Sequence, residues 1–292
     1  MNVLSLFDGM SAGLQALKQA GIPVTNYYAS EVDKYAIQVA MKNHPEIQQL
    51  GDVTAWRSWN LPKIDLLIGG SPCQGFSNAG TGMNFDDPRS ALFFEYVAIL
   101  KELKPKFFML ENVKMKKEWQ DIISEILGVG PVEINSALVS AQNRKRLYWS
   151  NFEFGQPEDR GILLKDILED GFVDRDKSRV IIGSIGRTTK REYFKKSQGQ
   201  LVFVNARINS SQDGKIVSVD GKSPTLTAGH NNYPKIGTDI KNWRKLTPIE
   251  CERLQTFPDN YTEGVSNTQR YKMLGNGWTV AVIEHIFRAM PA

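Results

Sequence analysis

The sequence predicts an α/β fold, a doubly wound Rossmann-like sheet joined to a smaller, mostly β module. Three observations carry this reading. Short apolar runs bounded by turn residues alternate with helical patterns through the first half of the chain, as in parallel βαβ units. After Asn151 the pattern changes to short strand-like runs and polar turns, and helical periodicity resumes from Trp243. The 292 residues, 41% of them hydrophobic, suffice for one large core and one small one. The expected division is therefore residues 1–151 plus 244–292 as the sheet domain, built from both parts of the chain, and 152–243 as the second domain.

Val3 to Phe7 reads as the first strand. Asp8-Gly-Met-Ser-Ala-Gly13 turns the chain into a helix whose Leu14, Leu17 and Ala20 keep helical spacing, and Gly21 followed by Pro23 stops it. Tyr27 to Ser30 is the second strand, ended by Glu31. There follow a helix near Lys34 to Lys42, a strand end at Gly51-Asp52-Val53, a strand from Ile64 to Ile68, a helix from about Ser90 to Leu103, and a strand from Phe107 to Leu110. In the second module Val180-Ile-Ile182 and Leu201-Val-Phe-Val204 are strand-like. Lys177, Arg179, Arg187, Lys190, Arg191, Lys195 and Lys196 there face one acid, Glu192. Such a run is by itself a solvated face, but beside a catalytic cleft it suits phosphate better. Leu274 to Phe287 reads as an amphipathic helix packing back on the first domain.

Composition narrows the chemistry. Cys73 and Cys251 are too far apart for a disulfide framework or metal spacing, and His44, His230 and His285 are scattered, so no metal is expected. The N-terminus lacks a basic region and a small-residue cleavage site, and no apolar run approaches 18 residues, so a cytoplasmic protein is expected. The net charge of +4 says little by itself.

Two strand ends stand out. In Gly69-Gly-Ser-Pro-Cys-Gln-Gly-Phe-Ser77 a lone cysteine follows a proline, and Phe107-Phe-Met-Leu-Glu-Asn-Val113 closes an apolar run with Glu111. A nucleophile and an acid then share one sheet edge. Cys251, inside Glu250-Cys-Glu-Arg-Leu254, reads instead as a packed helical thiol. The first turn approaches a dinucleotide fingerprint without its full glycine set, and carries Asp8 where a pyrophosphate needs bare amides. A cofactor without phosphates fits better: Asp8 near a cationic ammonium or sulfonium, Glu31 on ribose hydroxyls, Asp52 on an adenine amino group. Taken singly, each acid is more often a helix cap or turn residue. Three in order at consecutive strand ends suit S-adenosylmethionine better than NAD.

With these residues in place, the order of motifs resembles the DNA cytosine-5 methyltransferase family, of bacterial and phage type. The matches are Phe7-Asp-Gly-Met-Ser-Ala-Gly13, Gly51-Asp-Val53, Ser71-Pro-Cys-Gln-Gly-Phe-Ser77, Glu111-Asn-Val113, Gln142-Asn-Arg-Lys-Arg146, Arg244-Lys-Leu-Thr-Pro-Ile-Glu-Cys-Glu-Arg-Leu254 and Gly275-Asn-Gly277. Gly69-Gly-Ser-Pro-Cys73, Leu92-Phe-Phe-Glu95 and Leu274-Gly-Asn-Gly-Trp-Thr-Val280 look closest to its de novo branch. Between 152 and 243 only Ser223-Pro-Thr-Leu-Thr227 matches, so no recognition sequence carries over.

The resemblance implies the methyltransferase variant of the Rossmann sheet, with residues 152–243 as a target-recognition domain across a cleft. It implies a cofactor pocket formed by Phe7, Asp8, Gly9, Met10, Glu31, Val32, Asp52, Val53, Pro72 and Leu92, joined by Asn276, Gly277 and Trp278; Phe7 and Val53 suit core packing equally well. It also implies the chemistry. Cytosine C5 is a poor nucleophile, so the Cys73 thiolate adds to C6, C5 takes the methyl group, and loss of the C5 proton releases the thiol. Glu111 supplies a proton at N3, while Arg144 and Arg146, two apart on an extended strand, reach the base carbonyl and the adjacent phosphate. The target base must leave the stack, and Gln74 to Arg89, with Gly75, Gly80 and Gly82, suits a lid over it. The expected partner is double-stranded DNA, with no membrane and a nucleoid-associated monomer as the default; a restriction endonuclease partner leaves no readable mark. The other readings are the RNA-modifying branch of the same family, against which a sizeable recognition region argues, and a non-catalytic DNA-binding protein, against which the intact Cys73, Glu111 and Arg146 argue.

Overall fold

The computed structural model describes residues 1–71, 88–181, 183, 189, 193, 200–203 and 243–291. Its centre is a seven-stranded sheet in the order β3-β2-β1-β4-β5-β7-β6. The strands are β1 (Asn2–Leu6), β2 (Asn26–Ser30), β3 (Gln48–Gln49), β4 (Leu66–Gly70), β5 (Phe107–Val113), β6 (Val132–Asn135) and β7 (Lys145–Ser150). The first five run parallel, whereas β7 pairs antiparallel with both β5 and β6. The helices are α1 (Ala12–Gln19), α2 (Lys34–Asn43), α3 (Pro88–Leu103), α4 (Lys117–Leu127), α5 (Pro248–Leu254), α6 (Asn267–Asn276) and α7 (Val280–Arg288).

Alternation along each strand sends neighbouring side chains to opposite faces, and the apolar residues divide accordingly. Val3, Tyr27, Ala29, Leu66, Ile68, Phe107 and Met109 share one core with Leu14 and Leu17 of α1, Val39 of α2, and Val282 and Ile286 of α7. Leu4, Leu6, Tyr28, Leu67, Phe108 and Leu110 face the other way, onto Phe93, Tyr96 and Ile99 of α3 and Ile123 of α4. Strands buried on both faces read as unbroken apolar runs, which is why β4 and β5 were legible. Phe152, Leu164, Ile167 and Ile181 pack into the first of these cores. Beyond them, β8 (Leu201–Phe203) pairs antiparallel with β9 (Trp243–Lys245), and Tyr193 packs on Leu201 and Phe203.

Two expectations change. Pro88 and Arg89 of the expected lid open α3, and residues 72–87, with Pro72 and Cys73, lie outside the described residues. The run from Leu274 to Phe287 is two helices, because the backbone turns extended at Gly277 (φ −69°, ψ 167°) and stays so at Thr279. Thr279 holds the break through side-chain hydrogen bonds with Ser136 (2.9 Å) and Gln255 (2.8 Å). No helix among the described residues is long and apolar enough to cross a membrane.

Candidate active site

The strand order reverses between β1 and β4, and a crevice opens at their C-terminal ends, the usual ligand site of such sheets. A cavity of about 360 Å³ lies there, within the range of small-molecule pockets. Its wall brings together Phe7, Asp8, Gly9 and Met10 after β1, Glu31 after β2, Gly70 and Ser71 at the end of β4, Glu111 of β5, Arg144 and Arg146, and Asn276, Gly277 and Trp278 between α6 and α7. Val32, Asp52, Val53 and Leu92 are not in that wall. Val53 is buried in the second core, and Asp52 caps a 3-10 turn by accepting from the Thr54 amide at 2.9 Å. Val32 stands beside Glu31, 70% exposed.

The loop after β1 is held in an unusual shape. Phe7 (φ 57°) and Ser11 (φ 62°) adopt left-handed backbone, a cost for non-glycine residues that persists only where the surroundings fix it. They do: the Asp8 amide donates to the Ser30 carbonyl at 3.1 Å, the Gly9 amide to Glu31 Oε2 at 2.8 Å, and Tyr261 Oη to the Met10 carbonyl at 2.8 Å. Glu31 Oε1 in turn accepts the amides of Val32 and Asp33, both at 2.8 Å, so its carboxylate is oriented at the cavity wall.

The Asp8 carboxylate does not reach across the cavity. Oδ1 accepts from Tyr27 Oη at 2.7 Å and Oδ2 from Ser11 Oγ, so both oxygens are engaged within the protein. Burial pushes the Asp8 carboxyl up to about 6, against the hydrogen bonds from Ser11 and Tyr27. A cation in the cavity favours its ionised form. Affinity for S-adenosylmethionine, a sulfonium, should rise as pH increases through about 6, by about tenfold for each pKa unit of coupling, while that for the neutral sulfide product should change less. Calorimetric titrations of both ligands across that range check this, and parallel curves would remove Asp8 as the cause.

Glu111 follows Phe107 and Met109 on one face of β5, where the apolar row gives out at the sheet edge. Arg146 pairs with Val113 in register, which makes Glu111 its diagonal neighbour on the same face. The Arg146 Nε donates to Glu111 Oε1 at 3.0 Å, and both side chains are mostly buried. Trp278 Nε1 donates to the other oxygen at 3.0 Å. The Asn112 side-chain Nδ2 donates to Ser71 Oγ at 3.1 Å, tying the ends of β4 and β5 together.

Arg144 departs from the expected role. Its guanidinium donates to the carbonyls of Ile181 (3.2 Å), Gly275 (3.2 Å) and Gly277 (2.9 Å), and the residue is 3% exposed. The spacing of two does place both arginines at the cavity, but Arg144 precedes β7 and buckles the helix break against the sheet. Gln142 extends the buckle, donating to the Leu254 carbonyl at 2.8 Å and to Gln255 Oε1 at 2.9 Å. Cys251 is fully buried in α5, and burial pushes its thiol well above the usual range, as suits an inert packed side chain.

A doubly wound sheet ending in β7 and β6, with a strained turn and oriented acid at its crevice, defines an S-adenosylmethionine-dependent methyltransferase. The family model for C-5 cytosine-specific DNA methylase matches residues 1–292, and the chain belongs to that family. It is 33% identical over 320 residues to the Type II methyltransferase M1.ScrFI of Lactococcus lactis subsp. cremoris, covering 99% of this chain and 77% of that one. It is 39% identical over 494 residues to the orphan methyltransferase M.Rho11sI of Bacillus phage rho11s, with coverages of 99% and 97%. Among solved structures, the Entamoeba histolytica methyltransferase EhMeth superposes with a TM-score of 0.70 at 17% identity, covering 99% of this chain and 97% of that one, a likeness of fold. The methyl donor is S-adenosylmethionine and the reaction is methylation of cytosine C5 in DNA.

Proposed function

We propose that this chain methylates a flipped-out cytosine within a short duplex sequence by covalent catalysis, with Cys73 as nucleophile and Glu111 as acid. The observation that carries the reading is the Glu111 carboxyl of β5, held at the cavity by Arg146 and Trp278, beside Gly70 at the end of the strand that leads to Cys73. S-adenosylmethionine supplies an electrophilic methyl group when bound. The cavity fits it: Glu31 offers an oriented acceptor for ribose hydroxyls, Phe7 and Trp278 offer apolar walls, and Asp8 offers a buried negative charge. Val32, Asp52, Val53, Pro72 and Leu92, which the family resemblance adds to the cofactor contacts, stay in the proposal on that resemblance alone. Cys73 attacks C6, Glu111 delivers a proton to N3 so that no charge accumulates on the ring, and Arg146 keeps Glu111 in place.

Residues 152–243, in the same proposal, read the DNA sequence, and the basic run from Arg179 to Lys196 meets phosphate; Lys177, expected in that run, instead donates to the carbonyls of Ala137, Ser140 and Ile162. The protein acts as a monomer, solitary or beside a nuclease. Incubation with S-adenosylmethionine and unmethylated genomic DNA, followed by bisulfite sequencing, tests this. The expected result is protection confined to one short sequence context. Protection of transfer RNA and none of DNA would transfer the reading to RNA.

A further inference from the structure

We infer that Trp278 is a positioning residue for Glu111: its indole N–H fixes the carboxyl that protonates the base, so the wall of the cofactor cavity and the acid are one unit. The inference rests on the proposed role of Glu111. Its observation is independent of that role, since the 3.0 Å contact joins residues 167 apart in sequence.

Three features make the contact a built one. First, Gly70 lies beside Glu111 in the ladder, and a Cβ there would come 2.8 Å from Trp278 Nε1 and 3.0 Å from Glu111 Oε2. Any side chain at position 70 would occupy the space in which the two groups meet. Second, a Cβ at Gly277 would come 3.0 Å from both Met10 Cε and the Met273 carbonyl, so the backbone before the indole is pressed against the cofactor turn. Third, the Gly277 carbonyl accepts from Arg144 at 2.9 Å and from Gln255 at 3.1 Å, which fixes the backbone from which the indole projects.

The chemistry follows from the donor inventory. Indole and guanidinium are donors only, and a carboxyl offers about four lone-pair sites. Arg146 and Trp278 take one site on each oxygen. The proton that Glu111 gives to N3 must therefore sit on one of the sites left open. Trp278 thereby selects the direction of proton delivery, and Arg146 alone would leave the carboxyl free to rock about its Oε1 contact.

The test uses cofactor-free chemistry. Cys73 adds to C6 while Glu111 protonates N3, C5 then takes a deuteron from D₂O, and loss of the C5 proton with expulsion of the thiolate returns a cytosine labelled at C5. We expect Trp278→Phe, which keeps the ring and deletes the N–H, to slow this exchange by about tenfold or more while S-adenosylmethionine binds within about threefold of wild type. The loss should fall on the exchange rate at saturating DNA and leave the DNA concentration for half-maximal exchange within about threefold, which a merely structural defect would not do. Gly70→Ala, which separates the partners from the other side, should slow exchange similarly and covers the case in which the tryptophan variant fails to fold. Wild-type exchange with both variants unchanged, or with only cofactor binding weakened, would overturn the inference alone. A wild-type protein that exchanges nothing would overturn the Glu111 role with it.

Discussion

A Cys73→Ser chain should bind S-adenosylmethionine as the wild type does and leave every cytosine unmethylated. Sulfur and oxygen differ here in nucleophilicity. A thiol has an ordinary pKa of about 8.5 and is drawn toward thiolate by a neighbouring cation, whereas a serine hydroxyl stays un-ionised and adds to a ring carbon far more slowly. Among the described residues the cavity wall carries the cations Arg144, Arg146 and Lys272 and no histidine. Loss on the order of 10³-fold or more is expected in single-turnover assays on DNA, with unchanged cofactor affinity by calorimetry. A serine variant that methylates at a measurable fraction of the wild-type rate would remove covalent catalysis.

Glu111→Gln is the second large effect, with an expected fall of about 10² to 10⁴ in the methyl-transfer rate at saturating cofactor and DNA. The amide has no acidic proton to give. It also breaks the clamp: Arg146 and Trp278 each donate to one carboxylate oxygen, and glutamine has only one oxygen to offer them. Its NH₂ group then faces a donor, an unsatisfied contact at a largely buried position. The side chain must turn, so even the residual rate should not be rescued by low pH. Burst kinetics with the substitution, compared with cofactor affinity measured separately, checks this. Wild-type turnover would strip Glu111 of the acid role.

Much of this site was legible from residue order. The alternation of apolar runs and helical patterns gave β1, β2, β4 and β5 within a residue or three of their observed ends, because strands buried on both faces cannot hide their composition. Glu31 and Glu111 stood out because an acid that closes an apolar strand is rare without a reason, whereas Phe7 and Arg146 came from the family resemblance; the cavity wall brings the four together. The missing pieces share one cause. Trp278 touching Glu111, Arg144 closing on three carbonyls, and Tyr261 reaching the Met10 carbonyl are all contacts between distant parts of the chain. No local pattern encodes them. The helix from Leu274 looked continuous because Leu274, Trp278, Ala281 and Val282 keep helical spacing across Gly277, and the tertiary bonds of Thr279 hold the break. The signal that could have revealed it is Gly277-Trp278-Thr279 itself, a glycine and a β-branched residue around an aromatic in the middle of a helix.

The clamp on Glu111 also sets a clock on the newly made protein. Translation proceeds from the N-terminus, and Trp278 leaves the ribosome 167 residues after Glu111. At synthesis rates of about 5–20 residues per second, the sheet edge waits about ten to thirty seconds for its last donor. Through that interval the nascent chain can assemble β1 to β5 yet holds its acid by one side only. Fragments released early therefore carry the strands without the contact between Trp278 and Glu111.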